Sequence, residues 1–311
     1  YIWGRGTLDT KNLTTQHLTV LLLCRRLADA GTALPRDLIL MATADEEVGG
    51  ELGAHWLVDH HADLIRAEYA LNEGGGSAFV LGGREYMTVQ TAEKGLARFT
   101  LRARGPVGHA SVPRDDNAVV RLAEAVAALG HARLPVHLTP TMREWLTVIA
   151  DTQPSAVART VHALLEDPAR FDELAAALPL DDERRRTLSA ALRNTATPTL
   201  LAAGTKVNVL PGEATARVDG RILPGQTQAT FRAELSAHLP DGVELQFDDD
   251  APPLEAEIRS PLYDAIREAV RAHAPDVTPL PLLMTGATDA KAVVRLGTRV
   301  YGFGPMRHEP A

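Results

Sequence analysis

Three short acidic clusters are the residues best placed to do chemistry: Gly4-Arg5-Gly6-Thr7-Leu8-Asp9-Thr10-Lys11, Thr43-Ala44-Asp45-Glu46-Glu47-Val48-Gly49-Gly50, and Asn72-Glu73-Gly74-Gly75-Gly76. Each sets carboxylates among glycines that let the backbone turn tightly. Gathered in one place, such carboxylates repel one another unless a cation neutralises them or one keeps a proton, so metal binding is their natural chemistry. Carboxylate oxygens alone suit magnesium or calcium, whereas added imidazole favours zinc. One acidic junction between strand and helix can equally be an N-cap or a solvated loop. Three in succession are harder to explain that way.

The elements around these clusters must position them. Apolar residues recur at helical spacing over 12–30, with Asn12, Thr14 and Thr15 as candidate caps and Gly31 as the stop. The apolar run 38–42 leads directly into Asp45-Glu46-Glu47, residues 51–64 read as a helix, and 69–71 as a strand ending at Asn72-Glu73. This order predicts an α/β domain with its acids at the carboxyl ends of strands, where ligands bind in such sheets. From about Gly95 the pattern changes. A half-buried strand over 96–103, a helix over 117–129, two strands over 206–222 around Pro211-Gly212, a helix over 230–239 and a strand over 243–247 give the β-α-β-β-α-β order of ferredoxin-like domains. Residues 133–194, rich in Ala, Leu, Arg and Glu, read as a helical insertion. After Pro252-Pro253 the α/β signals return, with a helix over 261–273, a strand over 280–284, a helical start at Thr288 and a strand over 299–303.

Composition narrows the classes. The 311 residues are 45% hydrophobic and 23% charged, near globular averages, and fit two domains better than one. A net charge of −8 with interspersed acids and bases leaves no footprint for nucleic acid or an anionic membrane. A small molecule or peptide is the expected partner. The single cysteine, Cys24, lies in an apolar run and reads as a buried structural thiol. No stretch is long and apolar enough to span a bilayer and no signal-peptide pattern is visible, so the expected location is cytoplasmic. The chain opens at Tyr1-Ile2-Trp3 without Met, within what reads as a strand, and is expected to be an internal portion of a longer enzyme.

Taken in order, Gly-Arg-Gly-x-x-Asp-x-Lys, Asp-Glu-Glu-x-Gly-Gly and Asn-Glu-Gly-Gly resemble the M20 family of zinc-dependent exopeptidases and deacylases. The resemblance continues through Gly105-Pro106-x-Gly-His109-Ala-Ser111-x-Pro113, Asn208-Val209-Leu210-Pro211-Gly212, Arg221-Ile222-Leu223-Pro224-Gly225 and Thr285-Gly286-Ala287-Thr288-Asp289. It implies a zinc-exopeptidase-like catalytic domain, residues 1–94 and 254–311, interrupted by an inserted ferredoxin-like α+β lid and dimerisation domain, residues 95–253. It further implies two zinc ions, for which cobalt can substitute, with Asp9 bridging them, Glu47 on one and Glu73 on the other. Glu46 would be the general base, taking a proton from a metal-activated water that attacks an amide carbonyl. His109 would stabilise the developing oxyanion, with Asn208, Arg221 and Gly286 binding substrate and the arginine suiting a free carboxylate.

The implied substrate is a short peptide or an N-acyl amino acid, and lid-to-lid homodimers are common in the family. Asp45 reads as a supporting acid, while Lys11, Thr285 and Asp289 read equally well as loop-shaping residues. The family's metal-binding histidines are not visible: the upstream His-x-Asp motif is absent, and His308 follows Tyr301-Gly302-Phe303 too closely to be the late ligand. Both are expected outside the chain, which on its own is expected to be a poor catalyst. Two other readings stay open. One is a binding module that keeps the fold without metals; the other is a magnesium-dependent phosphohydrolase, which lacks a phosphate-cradling loop.

Overall fold

The computed structural model describes residues 2–248 and 251–306. It divides into two units, the first made of residues 1–91, 256–282 and 288–311, the second of residues 92–255 and 283–287. Sequence patterning placed the corresponding boundaries at 94/95 and 253/254.

In the first unit, strand Tyr69–Asn72 runs parallel to Arg299–Gly302, whose last residue pairs with Gln90 in the antiparallel strand Arg84–Glu93. Ala78–Leu81 forms a hairpin with that strand, turning at Gly82 and Gly83 with φ of 56° and 80°. Two positive-φ glycines between alternating strands are the chemistry of a tight hairpin turn. The sequence reading passed over this hairpin.

Helix Pro261–His273 packs Tyr263, Ile266 and Val270 against Val89 and Tyr301. Its N-cap, Ser260, accepts from Tyr263 N at 3.2 Å and donates to the Tyr301 hydroxyl at 2.7 Å, which in turn donates to the Glu257 carbonyl. Proline at the first helical position completes the start signal.

Elsewhere in this unit the elements depart from expectation. The first helix spans Lys11–Asp29 and buries no residue. The candidate caps Thr14 and Thr15 lie inside it, their hydroxyls bonded to carbonyls four residues back, and Thr10 at the N-cap makes no side-chain cap. Cys24 is only half-buried. The run 38–42 forms no strand, and Leu38 and Ile39 are exposed. Alternation and apolarity make a strand only where a neighbour offers backbone groups to pair with. Residues 51–65 make three short turns, Glu51–His55, Trp56–His60 and Ala62–Ile65, in place of one helix. Ile2 and Trp3 are exposed and lie in no strand, and Tyr1 lies outside the described residues.

The second unit contains an antiparallel sheet in the order Val243–Phe247, Phe99–Arg104, Glu213–Ile222, with Thr195–Ala203 on the far side of Glu213–Ile222. Helices Ala118–His131 and Gln228–Ser236 supply Leu122, Ala125, Leu129, Phe231 and Leu235 to the same core as Phe99, Leu101 and Val218. Strand alternation is clean in Glu213–Ile222, where every second residue is buried. The edge strand Thr195–Ala203 escaped the sequence reading. Pro198, at a bulge, masks it, and bulges and edges are where strands tolerate proline. Between helix Ala118–His131 and this strand lie helices Pro140–Thr152, Ser155–Glu166, Phe171–Leu174 and Asp182–Ala191.

Candidate functional site

The Gly4–Lys11 segment turns so that Lys11 N donates to the Gly6 carbonyl at 2.8 Å, with Gly6 at φ 75°. A side chain at Gly6 would meet the aliphatic stem of Lys11, whose ammonium donates to the Arg5 carbonyl at 3.4 Å. Lys11 thus braces the turn that presents Asp9, an exposed residue followed by a cis peptide bond to Thr10.

The Asp45-Glu46-Glu47 cluster is held by a different device. Asp45 adopts φ 75° and accepts Leu52 N on its carboxylate at 3.0 Å, while its carbonyl accepts from Gly50 N at 2.8 Å. Aspartate is one of the few residues that tolerates this conformation, and the side-chain bond fixes it. Glu46 and Glu47 follow on a single turn, Glu46–Val48. The Asp45 carboxylate is thus engaged in holding its own turn.

Glu73 leaves the end of strand Tyr69–Asn72 into a glycine run that has no room for side chains. A Cβ at Gly75 would collide with the Gly302 carbonyl, one at Gly76 with Gly304, and one at Gly302 with the Glu73 carbonyl. Asn72 anchors the same strand end by donating to Thr288 Oγ1 at 2.9 Å.

These segments converge in one cluster. Burial pushes the Glu73 carboxyl up to about 7, and the charges of Glu46 and Asp9, a hydrogen bond to Asp9 and the charge of Asp289 push the same way. All of these effects disfavour its ionised form. Asp289 joins this group, accepting from Thr43 Oγ1 at 2.6 Å and lying against Gly50. In sequence Asp289 stands in the motif Thr285–Asp289 and reads equally well as a loop-shaping residue; the structure sets it beside the acids. Glu47 is exposed, with no bond to the other acids.

The cluster suits a cation in the kind of donor it offers. Asp9, Glu46 and Asp289 all push against a charged Glu73, which is the environment a metal ion neutralises. Among the described residues, however, no three acids, histidines or cysteines come close enough together to hold an ion. The Asp9–Glu73 pair fits as two donors, and a complete ligand set is not assembled from described residues. His308 lies outside them.

The remaining candidates lie in the second unit. The short ladder Gly108–His109 with Val209–Leu210 sets His109 beside Asn208, whose carbonyl accepts from Ala110 N at 3.0 Å. His109 Nδ1 accepts from Ser111 N at 3.2 Å and from its hydroxyl at 2.7 Å. An amide can only donate, so the proton of the neutral ring sits on Nε2, which is left as a donor. Arg221 is committed to Asp219, with Nε and Nη2 donating to the two carboxylate oxygens at 2.6 and 3.2 Å. The fork expected to receive a substrate carboxylate is therefore filled, and Nη1 takes no part in that pair. Burial pushes the Asp219 carboxyl up, but the bonds and charges of Arg221 and Arg98 outweigh it and hold the carboxyl below its ordinary value.

Lys94, 1% exposed, donates to Thr195 Oγ1 at 3.1 Å. Burial, reinforced by Arg221 and opposed by Asp219, lowers its ammonium to about 7. No spacing in the sequence singled it out. Gly286 is half-exposed, and a Cβ there would touch only Met284.

Comparison with known proteins adds to this geometry. A family model described as peptidase family M20/M25/M40 matches residues 1–311. The chain is 27% identical to a human N-fatty-acyl-amino acid synthase/hydrolase over 99% of its own length and 61% of that protein. It is 25% identical to human aminoacylase-1, over 100% of its own length and 65% of that enzyme. It thus spans about three fifths of the curated relatives it matches. Among solved structures it resembles human carnosine dipeptidase 1, with TM-score 0.51 and 14% identity over 83% of this chain and 56% of that one. An M20 family metallo-carboxypeptidase from Sulfolobus solfataricus gives 0.50 and 17% over 83% and 60%. At such identities these two support the α/β fold alone.

Proposed function

The chain belongs to the peptidase family M20/M25/M40, and on that premise we propose a metal-dependent hydrolase that cleaves the amide bond of an N-acyl amino acid or a short peptide. The observation that carries this reading is the gathering of Asp9, Glu46 and Asp289 around Glu73, three acids that all disfavour its ionised form. The names of the relatives, a fatty-acyl amino acid hydrolase and an aminoacylase, support the same substrate class.

In this proposal Asp9, Glu47 and Glu73 contribute carboxylates to a zinc site completed by histidines outside the described residues. Zinc, when bound, supplies a polarised water of lowered pKa. Glu46 then takes the proton from the attacking water and passes it to the leaving nitrogen as the carbon–nitrogen bond breaks. His109, with its free Nε2 donor, serves the developing oxyanion, and Asn208, Gly286 and Arg221 bind substrate. Arg221 can serve a carboxylate through Nη1, or through its whole fork if Asp219 moves away. Residues 95–253 act as a lid and dimerisation domain between two copies of the chain. In support, this stretch encloses its own sheet and core.

The test is hydrolysis of a panel of N-acyl amino acids and dipeptides by the full-length protein in the presence of zinc or cobalt, repeated with Glu46→Gln. Loss of about 10²–10⁴-fold in turnover with little change in KM is expected. Normal turnover by the variant would remove Glu46 as the base.

A further inference from the structure

The second unit contains a cavity of about 560 Å³ far richer in guanidinium than in carboxylate. Arg133, Arg185, Arg186 and Arg193 line it, against Asp172 and Asp182. Leu129, Leu134 and Phe171 give the same cavity an apolar part. Two of the arginines are internally matched. Arg185 bonds Asp182 at 2.6 Å and the Leu180 carbonyl at 2.8 Å; Arg193 bonds both oxygens of Asp172, at 3.0 and 2.7 Å, and Ser189. That uses both aspartates. Arg133 and Arg186 have no bonded or ion-pair partner among the described residues.

Arg193 is held by the protein itself: its side chain is only 7% exposed, its guanidinium lies 5.2 Å from the centre of the Phe171 ring, and its Nε is buried with no surface to offer a ligand. That leaves Arg133 and Arg186 as the charge that a ligand can meet. Two unmatched arginines beside a partly apolar cavity suit an anion with an apolar body.

We infer that this cavity is a second ligand site, separate from the carboxylate cluster, that binds an amphipathic carboxylate or phosphate. Arg133 and Arg186 hold the charged head, and the Leu129, Leu134 and Phe171 side receives the apolar body. The site makes no use of Asp9, Glu46 or Glu73, so it stands whatever substrate the hydrolase takes.

Calorimetric titration of the full chain with decanoate and decyl phosphate, each below its micellar concentration, tests this. Both should bind saturably, one per chain, and decanol should bind about tenfold more weakly or worse. The double variant Arg133→Gln/Arg186→Gln changes two exposed side chains and should weaken both anions by about tenfold or more with the unfolding midpoint unchanged. Arg221→Gln should leave their affinity intact, since the candidate substrate-carboxylate residue is not part of this site. Equal binding of decanol, unchanged affinity in the double variant, loss of binding in Arg221→Gln, or no saturable binding would each overturn the assignment.

Discussion

Glu73 in the first unit and Lys94 in the second are opposite solutions to the same physical problem. Each is an ionisable group drawn out of water, and burial is the largest effect on each, moving both to about 7 from opposite directions. They differ in their neighbours. The charges that act on Glu73 most strongly are those of acids: Glu46, Asp9 and Asp289. Lys94 has a hydroxyl partner in Thr195, and the repulsion of Arg221 is opposed by Asp219. The comparison teaches that a shifted pKa does not by itself mark a reactive group. Glu73 sits in a field that an external cation would relieve, whereas Lys94 has an acid, Asp219, in its own unit that partly offsets the repulsion of Arg221.

The largest expected effect that sharpens this contrast is on metal affinity. A metal must displace the proton that Glu73 holds below about pH 7, so zinc affinity should fall by up to tenfold per pH unit below 7 and flatten above it. Competition with a chromophoric chelator between pH 5.5 and 8.5 measures this on the full-length protein, and Glu73→Gln should lower the affinity and make its pH dependence shallower. An affinity independent of pH would mean that Glu73 is not a ligand. Next in size is Gly75→Ala, whose new methyl meets the backbone of Gly302 and Gln90 and not a movable side chain. A loss of about 1–3 kcal/mol in urea unfolding is expected, with metal affinity falling alongside it.

The Lys94 arm of the comparison is tested by stability against pH. Its folded pKa lies below its unfolded value, so the unfolded chain binds the extra proton between pH 7 and about 10.5. This residue's contribution therefore rises with pH across that window, by at most about 1.4 kcal/mol per unit. In Lys94→Met the rise should vanish, and a variant that keeps it would show that another group is responsible. The smallest effect expected is at a position touching neither group. Asn117 caps helix Ala118–His131 by accepting from Val119 N at 2.9 Å, and Asn117→Ala should cost about 1 kcal/mol without altering metal binding.

Much of the site was legible because its carboxylates stand in short, glycine-flanked motifs whose chemistry depends on local turns. Strand Val243–Phe247 and helix Pro261–His273 were equally clear, since period and caps agreed there. Elements whose existence depends on a distant neighbour were not. Residues 38–42 have a strand's composition but no strand partner in the described structure, while Thr195–Ala203 has a strand partner and a composition that conceals it. Lys94 was invisible for a related reason: a lysine's environment is set by what folds over it, and Arg221 and Asp219 lie more than a hundred positions away.

Strand Tyr69–Asn72 finds its parallel partner in Arg299–Gly302, with most of the chain between them, and the Glu73 loop fits only against the bare backbone of Gly302. During synthesis the acid loop is made more than two hundred positions before its seat exists. Joining such distant segments is slow, so the acid cluster forms later than the local helices and hairpins around it. A nascent chain carrying all the motif carboxylates would still lack their seat, and metal capture would report that strand Arg299–Gly302 has docked.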